Sequence, residues 1–203
     1  NIGGISNATV VSIDELFSKD IGPGNCLIDA WVRKNSEKKY DHGGYLASIG
    51  EKNEIIFEQA QELYYNRNKE KKSFDTNDFD ISFSRGLSLE DGTTTLTEFT
   101  GSIIAETICL FAKKGKKFNN IIICGGGRKN KALIDTIKKN LTYKTKVNMI
   151  DDYGINGDFV ESKAFAFLAI RSYKKLPFSS TLTLIFFSPF SSVILYNFLI
   201  SLG

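Results

Sequence analysis

The sequence predicts an α/β fold. Three features carry that expectation. The chain opens with glycine-turned, strand-like segments, a short apolar run at Asn120-Ile121-Ile122-Ile123-Cys124 reads as a buried strand, and the stretch after it alternates strand with helix. With 203 residues and 42% hydrophobic content, the chain can bury a sizeable core as one globular domain.

Taken in order, the opening reads as a hairpin, with one strand ending near Ile2 and another from Ala8 to Ile13. Lys19 to Asn25 reads as a rigid Gly-Pro-Gly turn, and Asn25 to about Lys38 as a helix with Asn25 as its cap. Ile55 to Tyr65 has helical spacing of apolar residues, and Asn66 to Asn77 is charged and reads as an exposed connection. Thr95 to about Lys113 is the clearest helix. Thr95 and Glu98 fit a capping box, and Leu96, Phe99, Ile103, Ile104 and Ile108 form an apolar stripe. The Ile121 strand, a helix from Arg128 to Leu141, a strand around Val147 to Ile150 and a helix from about Asp158 to Tyr173 complete the pattern.

Composition removes several classes of function. A net charge of +3 is too small to imply a nucleic-acid partner, and Lys113 to Lys117 reads as a solvated turn. There is no paired Cys-x-x-Cys and no histidine cluster, so no metal ligands are assigned. The three cysteines read as reduced, small apolar residues of a cytosolic protein. The single histidine, His42, sits among glycines, a poor setting for a catalytic base.

Two glycine segments carry the chemistry. Asp20-Ile21-Gly22-Pro23-Gly24-Asn25 puts a carboxylate beside a turn and a helix N-terminus, where a general base could work; an Asx-turn residue is the structural alternative. Gly125-Gly126-Gly127 follows a strand and precedes a helix, a layout suited to close approach of a nucleotide. It is neither a Walker A loop nor a dinucleotide fingerprint, because the required Lys-Ser/Thr and glycine spacing are absent.

In sequence order, seven segments resemble the bacterial anhydro-N-acetylmuramic acid kinases. They are Asn1 to Asn7, Asp20 to Trp31, Tyr40 to Gly44, Lys72 to Phe79, Thr95 to Thr100, Cys124 to Asn130, and Gly154 to Ala169. Two departures stand out: Gly43 replaces a usual acidic residue or Asn, and Thr76 replaces an Arg. The resemblance runs from Asn1 to about Pro177.

The resemblance implies the ribonuclease-H-like lobe shared by actin, Hsp70 and sugar kinases. It also implies ATP and Mg²⁺ as cofactors and an anhydro amino sugar as partner. The family phosphorylates 1,6-anhydro-N-acetylmuramic acid while water opens the anhydro ring, in the cytoplasm, during cell-wall recycling. By the same resemblance Asp20 is the catalytic base. Glu161 contacts the sugar, or equally is a first-turn helix glutamate favoured by the dipole. Gly3, Gly4 and Asn7 face the ATP phosphates, and Gly125, Gly126, Gly127 and Asn130 lie on the adenosine side. Arg128 reads as a solvated helix-start residue. A homodimer is compatible with the family; no nucleic acid and no specific membrane partner are implied.

The resemblance also shapes the expected domain organisation. Residues 1–177 read as the C-terminal kinase lobe, without the N-terminal lobe that carries the family's first phosphate loop, of Gly-Thr-Ser-x-Asp-Gly type. No signal peptide is read at the start. Residues 178–203 form an uncharged apolar tail interrupted by Pro189 and four serines from Ser188 onward, read as a frame-shifted extension. Two other functional readings remain open: a truncated remnant without turnover, and another actin-like ATPase. The second is weaker, since Asp20 to Asn25 and the Lys72-Ser73 segment follow the sugar kinase pattern.

Overall fold

The computed structural model describes residues 1–11, 16–68, 73–112 and 117–176. The fold is mixed α/β, as the alternation requires. Strand β1 (Ile5–Val11) pairs antiparallel with β2 (Leu16–Pro23), and β3 (Asn120–Ile123) pairs parallel with β4 (Lys146–Met149). The helices are α1 (Cys26–Asn35), α2 (Tyr45–Ile49), α3 (Glu54–Asn68), α4 (Leu89–Ala112), α5 (Lys131–Asn140) and α6 (Val160–Tyr173). α5 connects β3 to β4, as a parallel pair needs a crossover.

α4 is the structural axis. It touches α1, α2, α3, α5 and β2. Its length and hydropathy match those of a membrane span, yet most of its apolar window is covered by these neighbours. Ile104, Ala105 and Ile108 meet Ile2, Ile21, Ile123, Leu133 and Ile137 in one cluster. Leu96, Phe99 and Ile103 meet Leu27, Ile28 and Trp31 in a second. The stripe read from sequence is therefore real, and two of the three apolar clusters among the described residues form around it.

The helix starts earlier than its pattern suggests. Ser88 accepts a hydrogen bond from Asp91 N at 3.0 Å and caps the helix. The expected capping box at Thr95 and Glu98 does not form. Thr95 is buried inside the helix, its hydroxyl donating to Asp91 O and accepting from Asn53 N. Thr93 and Thr94 also donate to the carbonyl four residues back. Such back-bonding lets threonines sit mid-helix without competing for a cap.

The glycine-proline segment is a strand rather than a turn. Asp20 to Pro23 continues β2, with Ile5 opposite Pro23 and Asn7 opposite Asp20, across a bulge between Ser6 and Asn7. The Ser6 hydroxyl lies within hydrogen-bond reach of Gly22 O (3.2 Å) and Pro23 O (2.8 Å), which fixes the strand end. Pro23 is tolerated there because a strand terminus needs no further N–H. The first strand likewise spans Ile5–Val11, while Ile2 makes only an isolated bridge to Ser6. Asn25 makes no side-chain cap; its amide donates to Gly3 O at 3.3 Å instead.

Three further differences concern loops. The stretch read as one helix from Arg128 is a 3₁₀ turn over Gly126–Lys129 followed by α5, because Asn130 Oδ1 accepts from Leu133 N and restarts the helix. The charged connection after α3 is docked at its far end, where Ser73 and Phe74 bond to Asp20. α2, not foreseen, starts after the left-handed Gly43 and Gly44, and Asp41 accepts the Leu46 and Ala47 N–H groups. The apolar tail expected over 178–203 lies outside the described residues, as do residues 113–116 of the lysine-rich turn.

Candidate functional site

The glycine turn after β3 is built from close packing. Gly125 has φ +84°, and a Cβ there would fall 2.4 Å from Asn1 Oδ1 and 2.6 Å from Ile2 O. Only glycine combines that backbone with that proximity. Ile2 fastens the turn from both sides, its N–H donating to Cys124 O at 2.8 Å and its carbonyl accepting from Gly127 N at 2.9 Å. Gly126 differs from its neighbours. The nearest atom a Cβ would meet is Asn25 Nδ2 at 3.8 Å, so this backbone faces open space.

That space is a cavity of about 330 Å³. Gly3 and Asn7 from the first hairpin, Gly125 and Gly126 from the glycine turn, and Glu161 from the first turn of α6 all border it. Five of the residues singled out in the sequence therefore meet around one cavity. Gly4, Gly127, Asn130 and Asp20 do not border it. Gly4 O accepts the N–H groups of Gly24 and Cys26, Gly127 packs on Ile2, and Asn130 caps α5.

Arg128 is not the solvated residue expected from its place after the glycines. Its side chain is 5% exposed and borders the cavity. Nε meets Asp151 Oδ2 at 2.6 Å, Nη1 donates to Gly125 O at 3.1 Å, and Nη2 reaches Asp158 Oδ1 at 3.0 Å. Lys129 adds a second cation to Asp158 at 2.6 Å. Asp151 is held down to about 2, chiefly by the hydrogen bond from Arg128 and then by the Gly157 N–H. Asp158 is also lowered, by Lys129 first and Arg128 next. One guanidinium thus ties the glycine turn to the loop that leads into α6. The sequence offered one signal for it, since Gly157 and Asp158 sit among the matched C-terminal residues, but no spacing rule links them to Arg128.

Asp20 has a different environment. It is 3% exposed on β2. Oδ2 accepts from Ser73 Oγ at 2.9 Å and from Phe74 N at 3.0 Å. Oδ1 is equally buried and has no hydrogen-bond partner among the described residues. A buried carboxylate oxygen without a donor is costly unless a ligand or water supplies one. The matched segment around Ser73 therefore has a role not read from sequence, which is to hold one carboxylate oxygen and leave the other. Thr76, at the position where an Arg was expected, lies against the same hairpin; a Cβ on Gly4 would sit 3.3 Å from its Cγ2.

The remaining candidates are peripheral. His42 is exposed and stacks on Tyr40. Cys26, Cys109 and Cys124 are all free, and burial pushes the Cys26 thiol up to about 11, which makes it a poor nucleophile. Among the described residues, no three His, Cys, Asp or Glu side chains converge as a metal site would require.

A glycine-built cavity and a half-held buried carboxylate lie on one mixed α/β frame, a frame consistent with a domain of a kinase family. The family model for anhydro-N-acetylmuramic acid kinase matches residues 1–183. Proteins named anhydro-N-acetylmuramic acid kinase are similar along the same span. That of Pelagibacter ubique (strain HTCC1062) is 48% identical over 181 residues, covering 86% of this chain and 48% of that protein. That of Zymomonas mobilis subsp. mobilis (strain ATCC 31821 / ZM4 / CP4) is 36% identical, covering 88% and 48%. That of Caulobacter vibrioides (strain ATCC 19089 / CIP 103742 / CB 15) is 34% identical, covering 88% and 47%. The chain belongs to the anhydro-N-acetylmuramic acid kinase family. It spans about half the length of the curated relatives it matches.

Proposed function

We propose that this chain supplies the catalytic base and one wall of the nucleotide site for ATP-dependent phosphorylation of 1,6-anhydro-N-acetylmuramic acid. The single observation that carries the reading is Asp20, buried, with Oδ2 held by Ser73 and Phe74 and Oδ1 without a hydrogen-bond partner among the described residues. In the proposed reaction a water oxygen bonds to C1 of the sugar and its proton passes to Asp20 Oδ1. The C1–O6 bond breaks, O6 takes the γ-phosphoryl group, and ADP leaves. A carboxylate suits this task because attack on an oxocarbenium-like carbon demands loss of the water proton.

Gly3, Gly4 and Asn7 are assigned to the phosphates, Gly125 and Gly126 to the adenosine side, and Glu161 to the sugar. Gly127 and Asn130 support the adenosine side by shaping the turn rather than by touching the ligand. The open backbone of Gly126 fits a nucleotide, since a ligand can approach where a side chain would otherwise stand. Mg²⁺, where it accompanies the nucleotide, would be held mainly by phosphate oxygens and water, as this ion commonly is in phosphoryl-transfer sites. When bound, it neutralises charge on the transferring phosphoryl group. The fold is read as a ribonuclease-H-like lobe, and the protein as cytoplasmic and compatible with a homodimer.

The test is a coupled assay with ATP and the anhydro sugar, run on this chain and on a polypeptide extended to the relatives' length. Turnover in the extended form that drops by ~10²–10⁴-fold in Asp20→Asn supports the base assignment. Turnover kept by Asp20→Asn removes it. Absence of turnover in both wild-type forms favours the non-catalytic remnant.

A further inference from the structure

We propose, resting on the reading of Asp20 as the base, that Tyr64 on α3 is the residue that positions Asp20, by one bond to the strand that carries the carboxylate and one stack against the segment that holds it. The strand is irregular at this point. Ser6 faces Gly22 and Asn7 faces Asp20, so Ile21 has no residue opposite it on β1 and is the extra residue of a bulge. A bulge interrupts the ladder and re-aims the side chains beside it, and bulges are over-represented next to active sites. The Ile21 carbonyl accepts the Tyr64 hydroxyl at 2.7 Å, which fixes the bulge from outside the ladder. Gly22 makes room for that approach, since a Cβ there would fall 2.7 Å from the same hydroxyl oxygen. Burial first, and then the charge of Glu106, push the Tyr64 hydroxyl up to about 12, so it stays a donor throughout the neutral range.

The ring makes the other contact. It stacks on Phe74 with centroids 6.3 Å apart and on Phe79 at 6.5 Å, and it meets Phe99 of α4 edge-on. Phe74 and Phe79 lie 5.6 Å from each other. Both are half-buried, while Ser73 and the four residues between the two phenylalanines are exposed. The Tyr64 ring is therefore an apolar seat for an otherwise exposed segment. From that seat Ser73 Oγ and Phe74 N reach Asp20 Oδ2. Tyr64 is itself held in place. Phe57, Ala60 and Tyr64 share one face of α3, and that face packs on the cluster of Leu96, Phe99 and Ile103. Beside it, Gln61 and Tyr65 bond to Glu106 of α4.

One side chain thus touches both supports of the carboxylate. Its hydroxyl sets the backbone from which Asp20 projects, and its ring sets the donors that orient Oδ2. Tyr64 does not border the 330 Å³ cavity, so it is a positioning residue rather than a catalytic one. Its influence on turnover must pass through Asp20. Misplacing a reacting group by about 1 Å can cost on the order of 10²-fold in rate, so weakening one of two supports is a measurable loss. The hydroxyl and the ring also act on different atoms, which lets substitution tell them apart.

The hydroxyl is tested by kinetics in a polypeptide of the relatives' length. Tyr64→Phe should lower kcat about tenfold and leave KM for ATP and for the sugar within about twofold, the pattern of an interaction needed only in the transition state. In an Asp20→Asn background the same change should have no further effect on residual turnover, because the residue it acts through is already gone. An unchanged kcat, or an equal loss in both backgrounds, would overturn the proposal; the second outcome would make Tyr64 a general support of the fold. The ring is tested on this chain by amide exchange. Tyr64→Leu should speed exchange at Phe74, whose N–H is bonded to Asp20, by about tenfold, with exchange at Ile104 in the core of α4 unchanged. Phe74 exchange that does not change, or that speeds up only together with Ile104, would also overturn it. Should Tyr64→Leu fail to fold, Phe79→Leu removes another face of the same stack and is read in the same way. Failure of the base reading shows itself separately, as turnover kept by Asp20→Asn or absent from every form. Exchange at Phe74 then still decides whether Tyr64 positions that carboxylate.

Discussion

At the residue scale, the three neighbouring glycines of the turn after β3 do different work, and substitution separates them. Gly125→Val forces a branched side chain onto φ +84° and into Asn1 and Ile2. Strain of that kind costs ~1–3 kcal/mol before the clash is counted, so the variant should melt well below wild type. At Gly126 a Cβ would meet nothing beyond its chain neighbours closer than Asn25 Nδ2, at 3.8 Å, and there is no left-handed φ to satisfy, so a valine is far better tolerated there than at Gly125. The thermal midpoint of Gly126→Val should stay near wild type while ATP affinity, read by calorimetry, falls more than sugar affinity. Equal loss of both ligands with lower stability would instead mark Gly126 as a folding position. The Arg128 cluster gives a pH signature. Asp151 is depressed to about 2 in the fold, so its contribution is present above the ordinary carboxylate value near 4 and is lost as pH falls from there to about 2. Asp151→Asn should therefore lower the melting temperature at pH 6, and the gap from wild type should close by pH 2. A gap that stays constant across that range would show that Asp151 acts through packing rather than charge.

At the scale of elements, α4 shows what limits a reading from periodicity. Its stripe from Leu96 to Ile108 is visible because these residues repeat every three or four positions on a buried face. Its start is hidden, because Thr93, Thr94 and Thr95 resemble cap residues while each donates to the carbonyl four residues back. Ser88 with Asp91 was the true signal, placed seven residues upstream of Thr95, where the pattern seemed to need a cap. Strand β2 was hidden for a related reason. Gly22 and Pro23 carry turn propensity, but pairing with Ile5 and the Ser6 bonds outweighs it. The candidate site was legible wherever chemistry and glycine geometry coincide, as at Asp20 and Gly125. Arg128 and Ser73 were not, since their partners lie 23 and 53 residues away in sequence and no local pattern encodes such contacts. Packing between elements yields its own prediction at Gly92, where α4 crosses α1. A Cβ there would lie 2.2 Å from the Trp31 ring, whose Nε1 donates to Leu89 O. Alanine gains ~0.8–1 kcal/mol of helix propensity, but overpacking costs typically ~1–3 kcal/mol. Gly92→Ala should be net destabilised in urea, with a shift in the fluorescence of Trp31, the only tryptophan. Increased stability with an unchanged spectrum would mean that the two helices separate without cost.

At the scale of the molecule, the described core closes on itself well before the chain's last residue. The three buried clusters draw on residues from Ile2 to Ile155, with Val160 packed alongside. α6, which follows, buries only Ala164 and leaves Phe165 and Ile170 exposed. The family model ends at residue 183, some twenty residues short of the chain's end. The apolar stretch after it, with Val193 to Ile200 at its centre, is thus proposed to lie outside the cooperative unit that the three clusters form. An apolar extension that no core needs acts as a patch for association. Deleting residues 184–203 should therefore raise solubility and shift the thermal midpoint by less than the ~2–4 °C that 1 kcal/mol produces in a chain of this size. Deleting from residue 160 onward instead should cost far more, because Val160 leaves the third cluster and Val160 and Ala164 leave the cavity wall. Should the shorter deletion unfold the protein, the tail belongs to the core, and the exposed faces of Phe165 and Ile170 are the first place to look for what it covers.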